Sequence, residues 1–371
     1  MNKIKLRFFI ASLGGGGAEK VLVDLLNKLD KTIYDITLNS VVGGIYEDKL
    51  PTNIRYNKIL NVGIKSIIFK LFVHLPKVIV AKRYFKEEQD IDIAYLEGYP
   101  TNIIAKVNNS KKKIAFIHMQ IDKSDSFKNI YNKDDECRRE YSLFDRVCFV
   151  SNDAKESFEL VYGKLNSSTV IHNVIDYELV RRMSFEKTER FFQKNVFKIA
   201  AVGRLTAQKR MERILNIASK LRDKYKFEIV IAGVGEDYNK LIRQKEKLSL
   251  DNVKFVGFLE NPYSLISQSD LLMCSSIYEG YSTVVCEAIS LGVPVLTTDC
   301  SGMKEILKDG KYGHITENTE EKLQQGLEHI LSDKGYYNKL KLRVKEYSKQ
   351  ISVENSIKDY DALFASLMKE I

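Results

Sequence analysis

The sequence predicts an α/β protein of two domains, each a parallel sheet covered by helices. Three observations carry this. Short apolar runs alternate with helical patterns along the whole chain, as in sheets whose strands are joined by helical crossovers. A plan of strand, turn and helix opens near residue 6 and restarts near residue 197 without shared sequence. The halves are therefore similar domains, not units of a repeat array. Finally, 371 residues are too many for one ordinary core and fit two.

In the first half, residues 6–11 read as a strand, the glycine run 14–17 as a turn and 18–29 as a helix. Strands follow at 36–42, 91–96, 114–117 and 146–150, and Thr-Val-Ile-His-Asn-Val-Ile-Asp at 169–176 ends the series. The polar, basic stretch 177–195 reads as a linker. The second half opens with a strand at 197–202, the turn Gly203-Arg204-Leu205 and a helix at 211–225. Strands follow at 227–232, 253–256, 270–274 and 293–297, and 352–371 is helical. The domains are thus 1–176 and 196–351, with linker 177–195 and terminal helix 352–371.

Hydrophobic residues make up 44% of the chain and charged ones 29%, as in a globular protein and unlike a disordered one. The net charge of +9 suits anionic partners: phosphates, nucleic acid or an acidic bilayer. Zinc-finger spacing, an RNP-type aromatic motif and a long basic tail are missing, which disfavours nucleic acid. The five cysteines have no C-x-x-C spacing, and Cys274 and Cys286 lie in apolar runs. They read as reduced, buried thiols of a cytosolic protein. The histidines have no H-E-x-x-H spacing, so no metal site is expected. Arg7 and the glycine run interrupt the apolar N-terminus, which reads as a strand and not a signal peptide. No run reaches the roughly 18 uncharged apolar residues of a membrane span.

Residues 278–294 carry the most chemistry. Glu279 lies in a glycine-containing stretch, Ser282 and Thr283 offer hydroxyls at a helix start, and the apolar run 284–291 is closed by Gly292 and Pro294. One carboxylate thus precedes a helix N-terminus and a second, Glu287, lies about a turn inside it. Free N–H groups there attract phosphate, and acids on either side of a diphosphate can each grip a sugar hydroxyl. A surface Glu followed by a buried amphipathic helix has the same pattern.

Gly14 to Gly17 join a strand to a helix, where glycine lets backbone approach a phosphate. The spacing is not G-x-G-x-x-G, and a tight structural turn also accounts for it. Arg204 and Lys209 flank the first turn of the second half and can straddle a diphosphate, or stand as solvated cations. His118 follows a strand at the end where α/β proteins place ligands, or is structural. Between residues 49 and 86 there are nine Lys or Arg and no acid. Lys65, Lys70, Lys77, Lys82 and Arg83 surround apolar residues such as Ile68, Phe69 and Phe72, interrupted by Pro76. This suits a basic amphipathic helix on anionic lipid, or a core-facing helix with a solvated basic face.

The 278–294 segment resembles the Glu-x7-Glu signature of family 4 glycosyltransferases, of the bacterial surface-polysaccharide, lipid-linked glycan type. Glu279 and Glu287 match its acids, and Gly280, Ala288, Gly292 and Pro294 its companions. Gly16-Gly17-Ala18-Glu19-Lys20 resembles the family's Gly-Gly-Ala-Glu-Arg, and Gly203-Arg204-Leu205 through Lys209 its Gly-Arg-Leu-x4-Lys. His172-Asn173-Val174-Ile175-Asp176 is similar to an Asn-Gly-x-Asp turn, with Val174 in place of glycine. Phe255 to Phe258 match a segment near the nucleotide base, and Ser301 departs from a family glycine. Asp90-Ile91-Asp92 has the D-x-D form by which another glycosyltransferase fold holds a divalent ion. Here it opens a strand and reads as its solvated start.

The resemblance implies two facing Rossmann-like domains of GT-B type, with the C-terminal helix crossing back to the first. It implies a retaining transferase moving a hexose or N-acetylhexosamine from a nucleotide diphosphate sugar, UDP-linked, to a glycan or lipid-linked acceptor. Glu287 would hold the ribose, and Glu279 with the N–H groups of Gly280, Tyr281, Ser282 and Thr283 the sugar and phosphate. Arg204 and Lys209 would neutralise the diphosphate without a metal or other cofactor. Phe258 would lie near the base, and Gly16, Gly17 and His118 would come from the facing domain. The enzyme would be cytoplasmic and peripheral on the inner membrane face. A nucleotide-sugar 2-epimerase of similar fold and a non-catalytic sugar-nucleotide binding protein are the alternatives.

Overall fold

In the computed structural model the chain divides into two compact units, one comprising residues up to Ile175 together with those from Val353 onward, the other Asp176–Ser352. The structure describes residues 3–122, 127, 131, 134–186 and 190–370.

The first unit holds a seven-stranded sheet of β1 (Ile4–Ile10), β2 (Tyr34–Ser40), β3 (Arg55–Lys58), β4 (Gln89–Ala94), β5 (Ser110–Ile117), β6 (Arg146–Phe149) and β7 (Ser168–Val170). All pairs are parallel, in the order β3-β2-β1-β4-β5-β6-β7. Central strands of such a sheet are covered on both faces, so they read as continuous apolar runs. Leu6, Phe8, Phe9 and Ile10 are all fully buried. β3 was not expected, because its sequence Arg-Tyr-Asn-Lys is an exposed edge and carries no apolar signal.

The D-x-D reading needs correction at Asp92. It is not solvated: in register with Arg7 on the adjacent strand, it is fully buried and accepts from Arg7 Nε at 2.7 Å and Nη2 at 2.9 Å. A forked guanidinium supplies two parallel donors, which makes this pair a cross-strand tie. Asp90 meanwhile accepts from the Lys5 amide and pairs with Lys111.

The C-terminal helix Glu354–Lys369 belongs to this first unit. Tyr360, Leu363, Phe364 and Leu367 are buried, the i, i+3, i+4, i+7 stripe of a helix laid on a core. Tyr360 stacks on Phe116 at 5.6 Å, and Phe364 meets Tyr34 edge-on at the same distance. Tyr34 donates to Asp361 at 2.8 Å, and Glu370 pairs with Lys112 and Arg146.

The second unit holds β8 (Phe197–Val202), β9 (Phe227–Ala232), β10 (Val253–Gly257), β11 (Leu271–Cys274), β12 (Val295–Thr298) and β13 (His314–Thr316), parallel throughout in the order β10-β9-β8-β11-β12-β13. Its core packs Ile214, Leu215 and Leu221 of the helix Met211–Leu221 against Ile199, Ile229 and Ile231, with Leu323 and Leu327 of the helix Glu320–Ser332. β13 is short, lies at the sheet edge and is half-buried, so it too lacks an apolar run. The stretch read as a linker opens with a helix, Tyr177–Ser184, capped by Asp176 and grouped with the second unit. Arg181 ties it down by donating to the carbonyls of Ser348 and Ile351 at 2.6 and 2.9 Å. Polar composition does not distinguish a tether from a helix anchored by an arginine.

Truncating Phe364→Ala is expected to destabilise the first unit by about 3–5 kcal/mol, the usual range for a buried aromatic. Urea unfolding followed by tyrosine fluorescence measures it, and a loss under ~1 kcal/mol would show that the helix is not part of that core.

Candidate active site

In the second unit the candidate residues lie at the C-terminal ends of the strands. The turn after β8 runs over the glycines that follow β9. A Cβ on Gly233 would lie 1.9 Å from the Gly203 carbonyl oxygen, and one on Gly235 would lie 2.2 Å from that of Leu205. Only glycine permits this backbone approach. Leu205 is buried as an anchor and Arg204 stands exposed beside it. Gly233 and Gly235 were missed, although Gly-x-Gly after a strand was a legible signal.

The loop after β11 is bound to the same turn. Ser275 donates to the carbonyls of Lys209 and Arg210 at 2.7 and 3.0 Å. The Gln208 side chain donates to Tyr278 O at 2.9 Å, and Ile277 N returns a bond to Gln208 O. Asn318, held by Arg213 at 2.8 Å, donates to Ile277 O at 2.7 Å, and Thr298 donates to Ser276 O at 2.6 Å. None of these supports has a spacing motif, since each comes from a different loop.

This framework brings Lys209 and Glu279 together. Lys209 Nζ lies 2.5 Å from Glu279 Oε1, and the Ser276 hydroxyl donates to the same oxygen at 2.6 Å. Burial opposes the charge of Lys209, but the field and hydrogen bond of Glu279 outweigh it and hold the ammonium above its ordinary pKa. Glu279 is buried, as is Glu287 on the helix Thr283–Ser290 that follows. That helix starts at Ser282, whose side chain makes no capping bond, so its first N–H groups keep donor capacity. Gly302, with φ +79°, packs against the loop: a Cβ there would lie 2.7 Å from Gly280 O. The neighbouring Ser301, which departs from the family glycine, donates its hydroxyl to Gly280 O at 3.3 Å. Phe258 follows the positive-φ Gly257 at the end of β10 and is half exposed, a free aromatic face beside the strand ends.

The first unit carries the remaining candidates. Gly16 caps the helix Gly17–Lys28, and a Cβ on it would meet the Glu19 carboxylate at 2.2 Å. His118 directly follows β5, and its backbone N–H donates to the buried Glu97 at 2.9 Å. Its ring packs on Tyr95 at 4.9 Å, and neither ring nitrogen has a hydrogen-bond partner among the described residues. Burial drives the imidazole pKa down to about 3, so the ring is neutral. Buried ring nitrogens without partners are uncommon and suit a ligand hydroxyl. Glu97 was missed, because a lone Glu before Gly98 carries no motif.

The basic stretch of this unit forms two short helices, Ile67–Val73 and Lys77–Tyr84, separated at Pro76. Phe72 is buried and Phe69 packs on the core, so the exposed apolar face is a different one: Ile67, Ile68, Leu71, Leu75 and Ile79, with Leu71 64% exposed. Lys65, Lys70, Lys82 and Arg83 are exposed around it. Lys77 departs from that set: it donates to Val73 O and lies 4.7 Å from the Tyr99 ring centroid. Among the described residues no helix is long and apolar enough to cross a membrane, and all five cysteines are buried outside any disulfide.

Residues 183–351 match the family model described as glycosyl transferases group 1. A Campylobacter jejuni N-acetylgalactosamine-N,N'-diacetylbacillosaminyl-diphospho-undecaprenol 4-alpha-N-acetylgalactosaminyltransferase is 26% identical over 370 residues, covering 95% of this chain and 98% of that protein. An uncharacterized glycosyltransferase of Methanocaldococcus jannaschii is 28% identical over 319 residues, covering 76% and 78%. Among solved structures, Anabaena HepE in complex with UDP and glucose superposes with a TM-score of 0.77 at 18% identity, over 98% of this chain and all of that one. The fold is of the GT-B type, and residues 183–351 carry the group 1 glycosyltransferase domain. That leaves the epimerase and the non-catalytic binding protein without support.

Replacing Gly233 with Ala is expected to push the Gly203 turn away and destabilise the second unit by roughly 1–3 kcal/mol, the backbone clash at 1.9 Å leaving no side chain to yield. Urea unfolding of the variant against wild type checks this, and a loss under ~0.5 kcal/mol would show that the turn can move aside.

Proposed function

We propose that the chain is a retaining glycosyltransferase that moves a hexose or N-acetylhexosamine from a UDP-sugar to a lipid-linked glycan at an anionic membrane surface, in surface polysaccharide synthesis. The observation that carries it is the contact of Lys209 with Glu279, 70 residues apart, beside the start of the helix that bears Glu287. A cation, two acids and a helix N-terminus at one strand edge match what a sugar diphosphate presents: ribose and hexose hydroxyls on either side of two phosphates.

Arg204 and Lys209 neutralise the leaving diphosphate, the N–H groups from Gly280 to Thr283 take phosphate and sugar oxygens, and Glu287 holds the ribose. Phe258 borders the base, and in the first unit Gly16, Gly17 and the neutral His118 are the residues offered to a ligand. The bond between the anomeric carbon and the diphosphate oxygen breaks, and the acceptor hydroxyl oxygen bonds to that carbon on the same face. Attack on that face retains the configuration, and the hydroxyl proton passes to the departing phosphate as UDP leaves. The cations do the charge stabilisation that a divalent ion supplies elsewhere. The UDP in the HepE complex and the diphospho-undecaprenol in the name of the Campylobacter relative support the donor and acceptor classes.

Incubation with a panel of nucleotide sugars, with and without undecaprenyl-diphosphate-linked glycans, tests the reading through release of UDP. Release is expected to rise with the lipid-linked acceptor, and Arg204→Ala is expected to lower turnover roughly 100-fold, the scale of removing one stabilising group from a developing anion. Equal turnover in that variant would overturn the assignment of the diphosphate.

Apolar residues ringed by cations without an acid support docking on anionic lipid, each cation near the surface contributing ~1 kcal/mol. Changing Lys65, Lys70, Lys82 and Arg83 to Glu is expected to abolish co-sedimentation with phosphatidylglycerol vesicles while donor hydrolysis in solution continues. Wild-type binding that ignores salt would refute the surface.

A further inference from the structure

Lys209 reaches Glu279 from a turn whose place is set by other bonds. Ser275 holds the carbonyls of Lys209 and Arg210, Gln208 donates to the Tyr278 carbonyl and accepts from the Ile277 amide, and Asn318 holds the Ile277 carbonyl. The ammonium and the carboxylate are therefore brought together by backbone ties that no diphosphate contributes to. The Ser276 hydroxyl converges on the same carboxylate oxygen, at 2.6 Å against 2.5 Å for Lys209 Nζ. A carboxylate so placed satisfies the lysine from within the protein. A diphosphate that takes Lys209 shares it with an anion already there.

We infer that Glu279 is the built-in counter-ion of Lys209, a positioning residue that aims the ammonium and weakens its hold on the nucleoside diphosphate product. This rests on the reading above, in which Lys209 faces the diphosphate, and deepens it. Two opposite charges at contact leave the position of Lys209 nearly neutral over the distance at which a phosphate sits. Where a phosphate oxygen makes direct contact with the ammonium, the carboxylate beside it still offsets part of the attraction. That arrangement loosens the hold on the free diphosphate product that must leave. Interactions that grow as charge develops raise turnover, whereas equal attraction to product only slows release.

The test is calorimetric titration of UDP into four full-length proteins: wild type, Glu279→Gln, Lys209→Met and the double variant. Glutamine keeps the shape and the Ser276 contact but removes the charge. The expected result is UDP binding about tenfold tighter in Glu279→Gln, on the modest side for close charge pairs. No change is expected between Lys209→Met and the double variant, because the effect acts through the ammonium. Turnover in Glu279→Gln is expected to fall, with a burst of UDP formation before a slower steady state. Unchanged or weaker UDP binding in Glu279→Gln, or tightening that persists without Lys209, overturns the counter-ion role. Wild-type UDP affinity in Lys209→Met overturns instead the placement of Lys209 at the diphosphate, which separates the two failures. Should Glu279→Gln fail to fold, Glu279→Asp carries the same comparison, since its shorter arm withdraws the charge by one methylene; tightening relative to wild type supports the role and none refutes it.

Discussion

In a parallel sheet every strand ends at the same edge, and the other parts of each unit are arranged around that constraint. It gathers turns that lie far apart in sequence. The glycines at the ends of β8, β9 and β10 and the serines after β11 come to one rim of the second sheet. Once there, they determine each other's composition: Gly233 and Gly235 must lack side chains because the Gly203 turn lies against them. The first unit applies the same geometry to its glycine run, Glu97 and His118, which follow β1, β4 and β5.

Buried charge distinguishes two pairs of the same chemistry. Arg7 and Asp92 face each other across adjacent strands, within the sheet and away from its ligand edge. Both are fully desolvated and fork onto one another, which ties β1 to β4. Lys209 and Glu279 are less buried, lie on loops at the strand ends and make a single contact. Removing one partner from a buried pair leaves an unpaired charge, so the first pair is a structural tie, and position alone sets the second at the strand-end rim.

The exposed apolar helices of the first unit follow from a sequence that is apolar nearly all round. A seven-residue helix can bury only one stripe, and Phe72 takes the core side by packing against Tyr84 and Tyr99. Ile67, Ile68 and Leu71 are left outside among lysines. Apolar surface of that kind is unusual on a protein that contacts only water.

Some of this was legible along the chain. Interior strands such as β8 and β9 appear as continuous apolar runs because both faces are covered, and Glu279 to Pro294 show a helix start, two acids and a stop at local spacing. The sequence by itself determined the two-sheet architecture, the turns and the residue types at them, since periodicity and capping act within a few residues. Edge strands β3 and β13 escaped because an uncovered strand needs no apolar pattern. The solvated reading of Asp92 failed because its partner lies 85 residues away. Only the tertiary structure decided that Lys209 meets Glu279, that Ser275, Gln208 and Asn318 hold them there, and that Lys77 turns onto Tyr99 while its neighbours face outward. Such contacts depend on which loops a sheet edge brings within about 3 Å, a distance that no spacing along the chain encodes.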